Sequence, residues 1–429
     1  MQEILLQKTI LIVDDEDGVR ESVREVLSDE GYRVIDTADG TRVLEMIRDE
    51  KPELVLLDIW MPQVDGIGLL KEIKNQEPDI NVVMVSGHGN IHTAVTATKY
   101  GAFDFIEKPV SLDGLLTTVQ RALGELPGAS EHKKIGARKT KAVKAAAKNS
   151  SAAPMVKQRT LKKSVVLSGQ GLHSGVKTGL ILHPLPPNSG IQFTGISADV
   201  RVPAHLDYVG STGYATSLRS KGYAVGTVEH LLAVLHSYGI TNLLIKVQGE
   251  VPIMDGSALE FAQAIEEAGI EEEDAELAPL VIDRRYQFDA KGGESIFIEP
   301  AEALSVRYLM SYPAPVGDQE YTYHHRDAES FKNEIAPART FGFLRDIAKL
   351  QNMGLANGGR LSNFILIDDE KIVNTELRFA DEFARHKILD ILGDFYLLGR
   401  PLCGAITARM TGHSDNIALL RQIRDGMKL

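Results

Sequence analysis

Glu382, His386, Asp390 and Asp394 follow one another at intervals of four in DEFARHKILDILGD (381–394). In an α-helix such residues share one side. A histidine and an aspartate one turn apart can ligate a single cation. A His/carboxylate set suits catalytic Zn²⁺, given one more protein ligand and an open position for water. Ile388, Leu389, Ile391, Leu392 and Phe395 are placed to bury the other side. An isolated HxxxD is more often the mark of a surface helix whose acids pair with Arg385 and Lys387, so the chemistry needs a second element. TVEHLLAVL (227–235) supplies one. Adjacent residues diverge by roughly 100° around a helix, yet Glu229 and His230 can flank one metal near a helix start. His230 would be the ligand and Glu229 would stand beside the bound water. TGHSDN (411–416) is a polar, loop-like stretch with His413 after Gly412. A loop histidine is a candidate general acid, and also an ordinary surface residue.

A second group of acids stands near the N-terminus. Asp14 and Asp15 follow LIV, Asp58 follows LVLL, Ser86 follows VVMV and Lys108 follows FDFIE. In a parallel sheet, ligands bind beyond the carboxyl ends of the strands. Acids clustered there repel one another and favour a divalent cation, and an all-oxygen site with few protein contacts suits Mg²⁺. A carboxylate beside such a cation can attack a phosphoryl donor and form an acyl phosphate. A hydroxyl and an ammonium then hold the phosphoryl oxygens. The plainer alternative is a flavodoxin-like domain whose acids only cap strand ends.

The elements that must position these residues fall into three stretches. Residues 1–126 alternate short apolar runs with amphipathic segments, which predicts an α/β, doubly wound, flavodoxin-like domain. Residues 127–156 are rich in Ala, Lys, Gly and Ser and read as a basic flexible linker, or as a basic arm for an anionic partner. Residues 157–429 mix period-two strands with long helices, which predicts an α+β domain. The two acid–histidine helices sit near its opposite ends and suggest two similar halves, about 157–278 and 279–429. The chain of 429 residues has a formal charge of −12, which argues against a general nucleic-acid coat. Cys403 is the only cysteine, so an internal disulfide is excluded and any metal site must use His and carboxylate. The opening MQEILLQKTILIVDDE lacks the pattern of a signal peptide, and no apolar run reaches the length of about 18 residues that spans a membrane. A cytoplasmic location is expected, with peripheral membrane contact left open.

Residues about 8 to 125 resemble the response-regulator receiver domain, most closely the nitrogen-regulation subfamily. DD at 14–15, D at 58, MPxxDG at 61–66, S at 86 and KP at 108–109 arrive in family order. The resemblance implies Asp58 as phosphoacceptor, Asp15 and Asp58 on Mg²⁺, and Asp14 assisting. Ser86 and Phe105 are the implied switch residues, Lys108 the implied phosphoryl partner, and a histidine kinase the implied donor.

Residues 157–429 resemble the UDP-3-O-acyl-N-acetylglucosamine deacetylase family of lipid A biosynthesis. SGQGLHSG (168–175), TVEHLLAVL, PIMDGSA (252–258), ARTFGFLRDI (338–347), LRFADEFARHKILDILGD (377–394) and TGHSDN carry the likeness. It implies a β-α-α-β sandwich in two halves, with Zn²⁺ held by His230, His386 and Asp390. It implies Glu229 as base, His413 as acid, Asp394 as partner of His413, and Thr340 at the oxyanion. Phe341 and Lys387 match substrate-contacting positions, and His173 a position behind them. FGFLRDIAKLQNMGLANGGRLSNFILIDD (341–369) occupies the place of a βαβ insert that lines an acyl passage. Arg360 and Ser362 depart from the usual GGS pattern there. The resemblances together imply a zinc deacetylase under a phosphorylatable regulator. The alternatives are a deacetylase-fold scaffold that no longer turns over, and a DNA-binding regulator resting on the basic stretch alone.

Overall fold

A computed structural model describes residues 7–61, 64–86, 96–97, 99–108, 112–125, 155–196 and 200–428. The chain divides into two compact units, Met1–Asn149 and Ser150–Leu429. The expected linker at 127–156 lies outside the described residues except for its last two, as does the part of SGHGNIHTAV after Ser86.

The first unit is built on one parallel sheet. Its strands are β1 (Thr9–Val13), β2 (Arg33–Thr37), β3 (Leu54–Asp58), β4 (Asn81–Ser86) and β5 (Asp104–Glu107). Their order is β2-β1-β3-β4-β5, with every neighbouring pair parallel. β1 and β3 are buried along their whole length. That is why their sequences run apolar without alternation. Covering side chains come from α1 (Asp17–Asp29), α2 (Val43–Glu50), α3 (Gly66–Gln76) and α4 (Leu112–Ala122). Successive strand residues face opposite sides. Ile10 and Ile12 join one core with Leu27 of α1 and Val119 of α4, whereas Leu11 and Val13 join another with Ile47 of α2 and Leu70 of α3. The strand order reverses between β1 and β3, so their carboxyl ends open a crevice beside Asp14 and Asp58. This is the doubly wound, flavodoxin-like architecture expected from the sequence.

The second unit holds two five-stranded sheets of one plan. The first half runs β6 (Val165–Gln170), β7 (Lys177–Pro184), β8 (Ile191–Thr194), β9 (Arg201–Pro203), α5 (Glu229–Tyr238), β10 (Leu243–Val247) and α6 (Leu259–Ala268). The second half begins with β11 (Tyr286–Asp289), β12 (Ser295–Glu299), β13 (Ser305–Ser311) and β14 (Asp318–His324). It continues through β15 (Phe341–Phe343), α7 (Leu344–Asn352) and β16 (Ile365–Ile367). It closes with α8 (Glu382–Phe395), β17 (Ala405–Arg409) and α9 (His413–Met427). The sheet orders are β6-β7-β10-β8-β9 and β11-β12-β17-β13-β14. In each, the last strand in sequence lies at the centre, antiparallel to one neighbour and parallel to the other, so both sheets are mixed. β15 and β16 pair in parallel with α7 between them, a βαβ unit within 341–369.

Every residue of α5 is buried. EHLLAVLHSY is apolar around most of its circumference, the mark of an interior helix. α5 packs against α8, and Leu231, Leu235, Ile388 and Leu392 join strand residues of both sheets in one core. Gly393 permits the approach: a Cβ there would stand 2.0 Å from the backbone oxygen of Glu229. The surface-helix reading of α8 fails. Glu382, His386, Asp390 and Asp394 are 0, 3, 3 and 0% exposed, so the polar stripe faces inward.

Candidate active site

His230 comes from the first turn of α5, and His386 and Asp390 from successive turns of α8. The Nε2 atoms of His230 and His386 lie 3.7 and 3.6 Å from Oδ1 of Asp390. The two rings meet edge to face, with centroids 4.9 Å apart. One donor atom from each of the three residues lies within 4.8 Å of the others, and all three are buried. Donors at zinc distances of about 2.0–2.2 Å around a tetrahedral ion stand about 3.3–3.5 Å from one another, so the three could hold one cation with little movement. His386 Nδ1 lies 3.0 Å from the carbonyl oxygen of Ala338. A carbonyl only accepts, so Nδ1 carries the proton and Nε2 turns its lone pair toward the centre, as metal-ligating histidines require. His230 Nδ1 is buried with no partner among the described residues. Burial pushes the His230 imidazole down to about 3 and lowers that of His386, so both are neutral. Burial disfavours the Asp390 carboxylate, but Lys387 and the neighbouring histidines outweigh it and hold its pKa well below the usual range. Ligands in these protonation states are ready for a metal.

Glu229 opens α5, and its Oε2 accepts the backbone N–H of Thr216 at 3.0 Å. Burial, opposed by His413 and reinforced by Asp390 and Asp394, pushes its carboxyl up to about 7. His413 Nε2 lies 3.8 Å from Oε1 of Glu229. Its Nδ1 donates to Oδ2 of Asp394 at 2.9 Å. Asp394 also accepts from the Thr216 hydroxyl at 2.6 Å and from Asn416 at 2.8 Å. Burial opposes the imidazolium, but Asp394 and Glu229 outweigh it and push His413 up to about 9. A carboxyl raised and an imidazole raised, facing one another, make a base and an acid that both work near neutral pH. His413 does not sit on a loop as its sequence context suggested. It is the first residue of α9. The positive end of a helix disfavours a cation, so the charge on His413 depends on Asp394.

Thr340, Phe341 and Lys387 line the same cavity of about 310 Å³, with Leu172, His173 and Tyr308. The backbone of Thr340 is held on both sides, its N–H by Gly256 and its carbonyl by Ile365 N–H, each at 2.8 Å. Phe341 stands with its ring centre 6.4 Å from that of His386. Lys387 also donates from Nζ to Oδ2 of Asp390 at 2.7 Å, so it touches a triad residue as well as the cavity. Sequence reading missed Thr216 and Asn416. Thr216 is 178 residues from Asp394 in the chain, and no local pattern marks it.

In the first unit, Lys108 Nζ lies 2.7 Å from Oδ2 of Asp14, 2.7 Å from Oδ2 of Asp58 and 3.0 Å from Oε1 of Glu16. Burial works against its charge, but these three acids push the Lys108 pKa above its usual value. Burial raises the Asp14 carboxyl, with Lys108 opposing. Asp14, Glu16 and Asp58 each bring an oxygen within 4.8 Å of the others. Asp15, expected on the cation, is not in that group, whereas Glu16, exposed and paired with Lys108, is. The chain bends at Asp15 after β1 ends, and the Glu16 N–H donates to Oδ1 of Asp14 at 2.9 Å. Ser86 is fully buried at the end of β4, and its carbonyl accepts the N–H of Lys108 at 2.8 Å. Phe105 pairs with Met84 in the sheet and packs on one of the two cores.

Residues 158–425 match the family model of UDP-3-O-acyl N-acetylglycosamine deacetylase. The chain belongs to this family. The UDP-3-O-acyl-N-acetylglucosamine deacetylase of Myxococcus xanthus (strain DK1622) is 46% identical over 271 residues, which make 62% of this chain and 86% of that protein. The enzyme of the same name from Nautilia profundicola is 42% identical over 270 residues, 62% of this chain and 92% of that protein. Residues 10–120 match the response regulator receiver domain. Among solved structures, the receiver domain of NtrX from Brucella abortus is 50% identical, covering 27% of this chain and 98% of its own, with a TM-score of 0.26. The buried triad, Glu229 and His413 therefore lie in the deacetylase unit, and the Lys108 cluster lies in the receiver unit. No helix among the described residues is long and apolar enough to cross a membrane.

Proposed function

We propose that the deacetylase unit hydrolyses the N-acetyl group of UDP-3-O-acyl-N-acetylglucosamine, releasing acetate and UDP-3-O-acyl-glucosamine for lipid A synthesis. The observation that carries this reading is the convergence of His230, His386 and Asp390 within 4.8 Å beneath the facing Glu229 and His413. The donor set, its burial and the His386–Ala338 bond fit Zn²⁺. Zn²⁺ held there lowers the pKa of a water and polarises the amide carbonyl. Glu229 takes a proton from the attacking water. His413 gives its Nε2 proton to the departing amine nitrogen, while Asp394 holds the imidazolium. The Thr340 hydroxyl supports the oxygen that gains charge in the transition state. Phe341 flanks the reacting group, and the βαβ unit at 341–369 lines the passage for the acyl chain. The same reading places a sheet outside each helix pair, in a four-layer β-α-α-β arrangement of two similar halves joined to the receiver by the basic stretch.

The receiver unit takes a phosphoryl group on Asp58 from a histidine kinase. The acids at the ends of β1 and β3 would hold Mg²⁺, which would offset the charge of the phosphoryl group, and Lys108 would pair with the phosphoryl oxygens. The protein works in the cytoplasm, where its nucleotide-linked substrate and a phosphodonor are both available.

The test is acetate release by the zinc-loaded full chain, with Mg²⁺, with and without beryllofluoride, beside Asp58→Ala. Activity that changes with the mimic only when Asp58 is present supports catalysis under receiver control. Activity indifferent to the mimic keeps the enzyme and moves the receiver's effect elsewhere. Bound zinc without any acetate release overturns the enzymatic reading and leaves a scaffold.

A further inference from the structure

Glu382 is the member of the α8 stripe that bonds neither to a metal-site residue nor to His413. It is 0% exposed, and a buried carboxylate is costly unless paired and hydrogen-bonded. Its charged partner is Arg339, and its Oε2 also accepts the backbone N–H of Arg378 at 2.5 Å. The guanidinium meets it side-on, with Nε 2.8 Å from Oε1 and Nη2 3.1 Å from Oε2. The backbone N–H of Arg339 donates to the same Oε1 at 3.1 Å. Two further donors of the fork go to the Thr375 hydroxyl at 2.8 Å and the Glu376 carbonyl at 2.7 Å. Both ends of the pair therefore have fixed directions.

The neighbours of the pair give it meaning. Arg339 stands between Ala338, whose carbonyl orients His386, and Thr340, which lines the cavity. Glu382 stands one turn before His386 on α8. One ion pair thus ties the segment carrying the histidine's acceptor and the cavity hydroxyl to the helix carrying two of the three metal-site residues. Two apolar side chains could fill the same volume, and buried ion pairs are often no more stabilising than such a replacement. What an apolar pair lacks is direction. A bidentate fork fixes both distance and angle.

We propose that Arg339 and Glu382 form a positioning pair. It sets segment 338–340 against α8 so that His386 Nδ1–H meets Ala338 and Thr340 faces the reacting carbonyl. The proposal deepens the zinc-hydrolase reading and rests on it.

The test uses the full chain and two variants. Arg339→Met with Glu382→Leu removes both charges at similar volume. Arg339→Lys keeps the charge and loses the fork. Zn²⁺ affinity is read by competition with a chromophoric chelator, and coordination by the visible spectrum of the Co²⁺-loaded protein. Thermal unfolding, kcat and KM are measured beside them. The double variant is expected to unfold near the parent temperature. It binds Zn²⁺ roughly 10- to 100-fold more weakly, with a shifted Co²⁺ spectrum and a loss in kcat larger than any change in KM. Arg339→Lys shows the same direction. A double variant that keeps the parent's metal affinity, spectrum and kcat overturns the proposal. Should the double variant not fold, parent-like metal affinity in Arg339→Lys overturns it instead. A parent chain that takes up no Zn²⁺ overturns the zinc reading and the pair's role with it, which separates that failure from one confined to the variants.

Discussion

His413 Nε2 faces Glu229 Oε1 across 3.8 Å, and its Nδ1 is held by Asp394. The two facing groups perturb one another in complementary ways. Burial raises the carboxyl to about 7, and the carboxylates raise the imidazole to about 9. Glu229 must be ionised to accept a proton and His413 protonated to give one. The rate should therefore rise as pH climbs through the Glu229 pKa and fall as it passes that of His413. A cation at the triad lowers the acid limb below about 7, because positive charge favours the carboxylate. A profile of kcat/KM against pH checks this. Glu229→Gln should cost roughly 10²–10⁴ in rate and remove the acid limb. An unchanged profile in that variant would reject Glu229 as the base.

Removing the metal should stop acetate release completely, and Zn²⁺ should restore it. His386→Ala should lose metal and activity together, because Ala338 then has no imidazole to orient and the cation keeps only two protein donors. Metal content by elemental analysis, beside the rate, separates loss of the ion from loss of chemistry. One equivalent of tightly held zinc in the variant would place the metal elsewhere.

Lys387 tests a sharper point, because it bonds to Asp390. Without it, the Asp390 carboxyl pKa rises and protons compete better for the carboxylate. Lys387→Met should weaken Zn²⁺ binding, by about tenfold for a lost supporting partner. The deficit should grow as pH falls. Titrations at several pH values read this directly. A change in KM alone, with metal affinity intact, would return Lys387 to a purely substrate-binding role.

Gly393→Ala should destabilise the deacetylase unit by roughly 3 kcal/mol, the upper part of the range for overpacking. The added carbon would stand 2.0 Å from the backbone oxygen of Glu229, and backbone cannot swing away as a flexible side chain can. Denaturant unfolding measures the loss. Catalysis should fall as well, since the displaced residue is the proposed base. Parent-like stability would show that α5 and α8 can separate without cost.

In the receiver unit, Glu16→Ala and Asp15→Asn distinguish two arrangements of the cation. The grouping of Asp14, Glu16 and Asp58 predicts that Glu16→Ala weakens Mg²⁺ binding. Asp58→Asn should abolish phosphoryl incorporation from a small-molecule donor. Mg²⁺ titration followed by Trp60 fluorescence measures the first, since the backbone N–H of Trp60 bonds to Oδ1 of Asp58. Loss of binding in Asp15→Asn but not Glu16→Ala would favour the pairing that the family resemblance implies.

Local periodicity carried much of this protein. The interval of four in Glu382, His386, Asp390 and Asp394 was enough to place them on one side of one helix. Continuous apolar runs ending in Asp14 and Asp58 were enough to predict buried parallel strands with acids at their ends. Both follow from backbone geometry that depends only on neighbours in sequence. Tertiary structure decided what those residues face. It turned the α8 stripe inward and brought Glu229 to His413. It joined Thr216 to Asp394 from 178 residues away and committed Lys387 to Asp390. It also brought Glu16 beside Asp14 and Asp58 and made His413 the first residue of a helix. These outcomes depend on α5 packing against α8 through Gly393 and on where chain segments turn. Such contacts arise from the shape of the whole core, and no repeat along the chain encodes them.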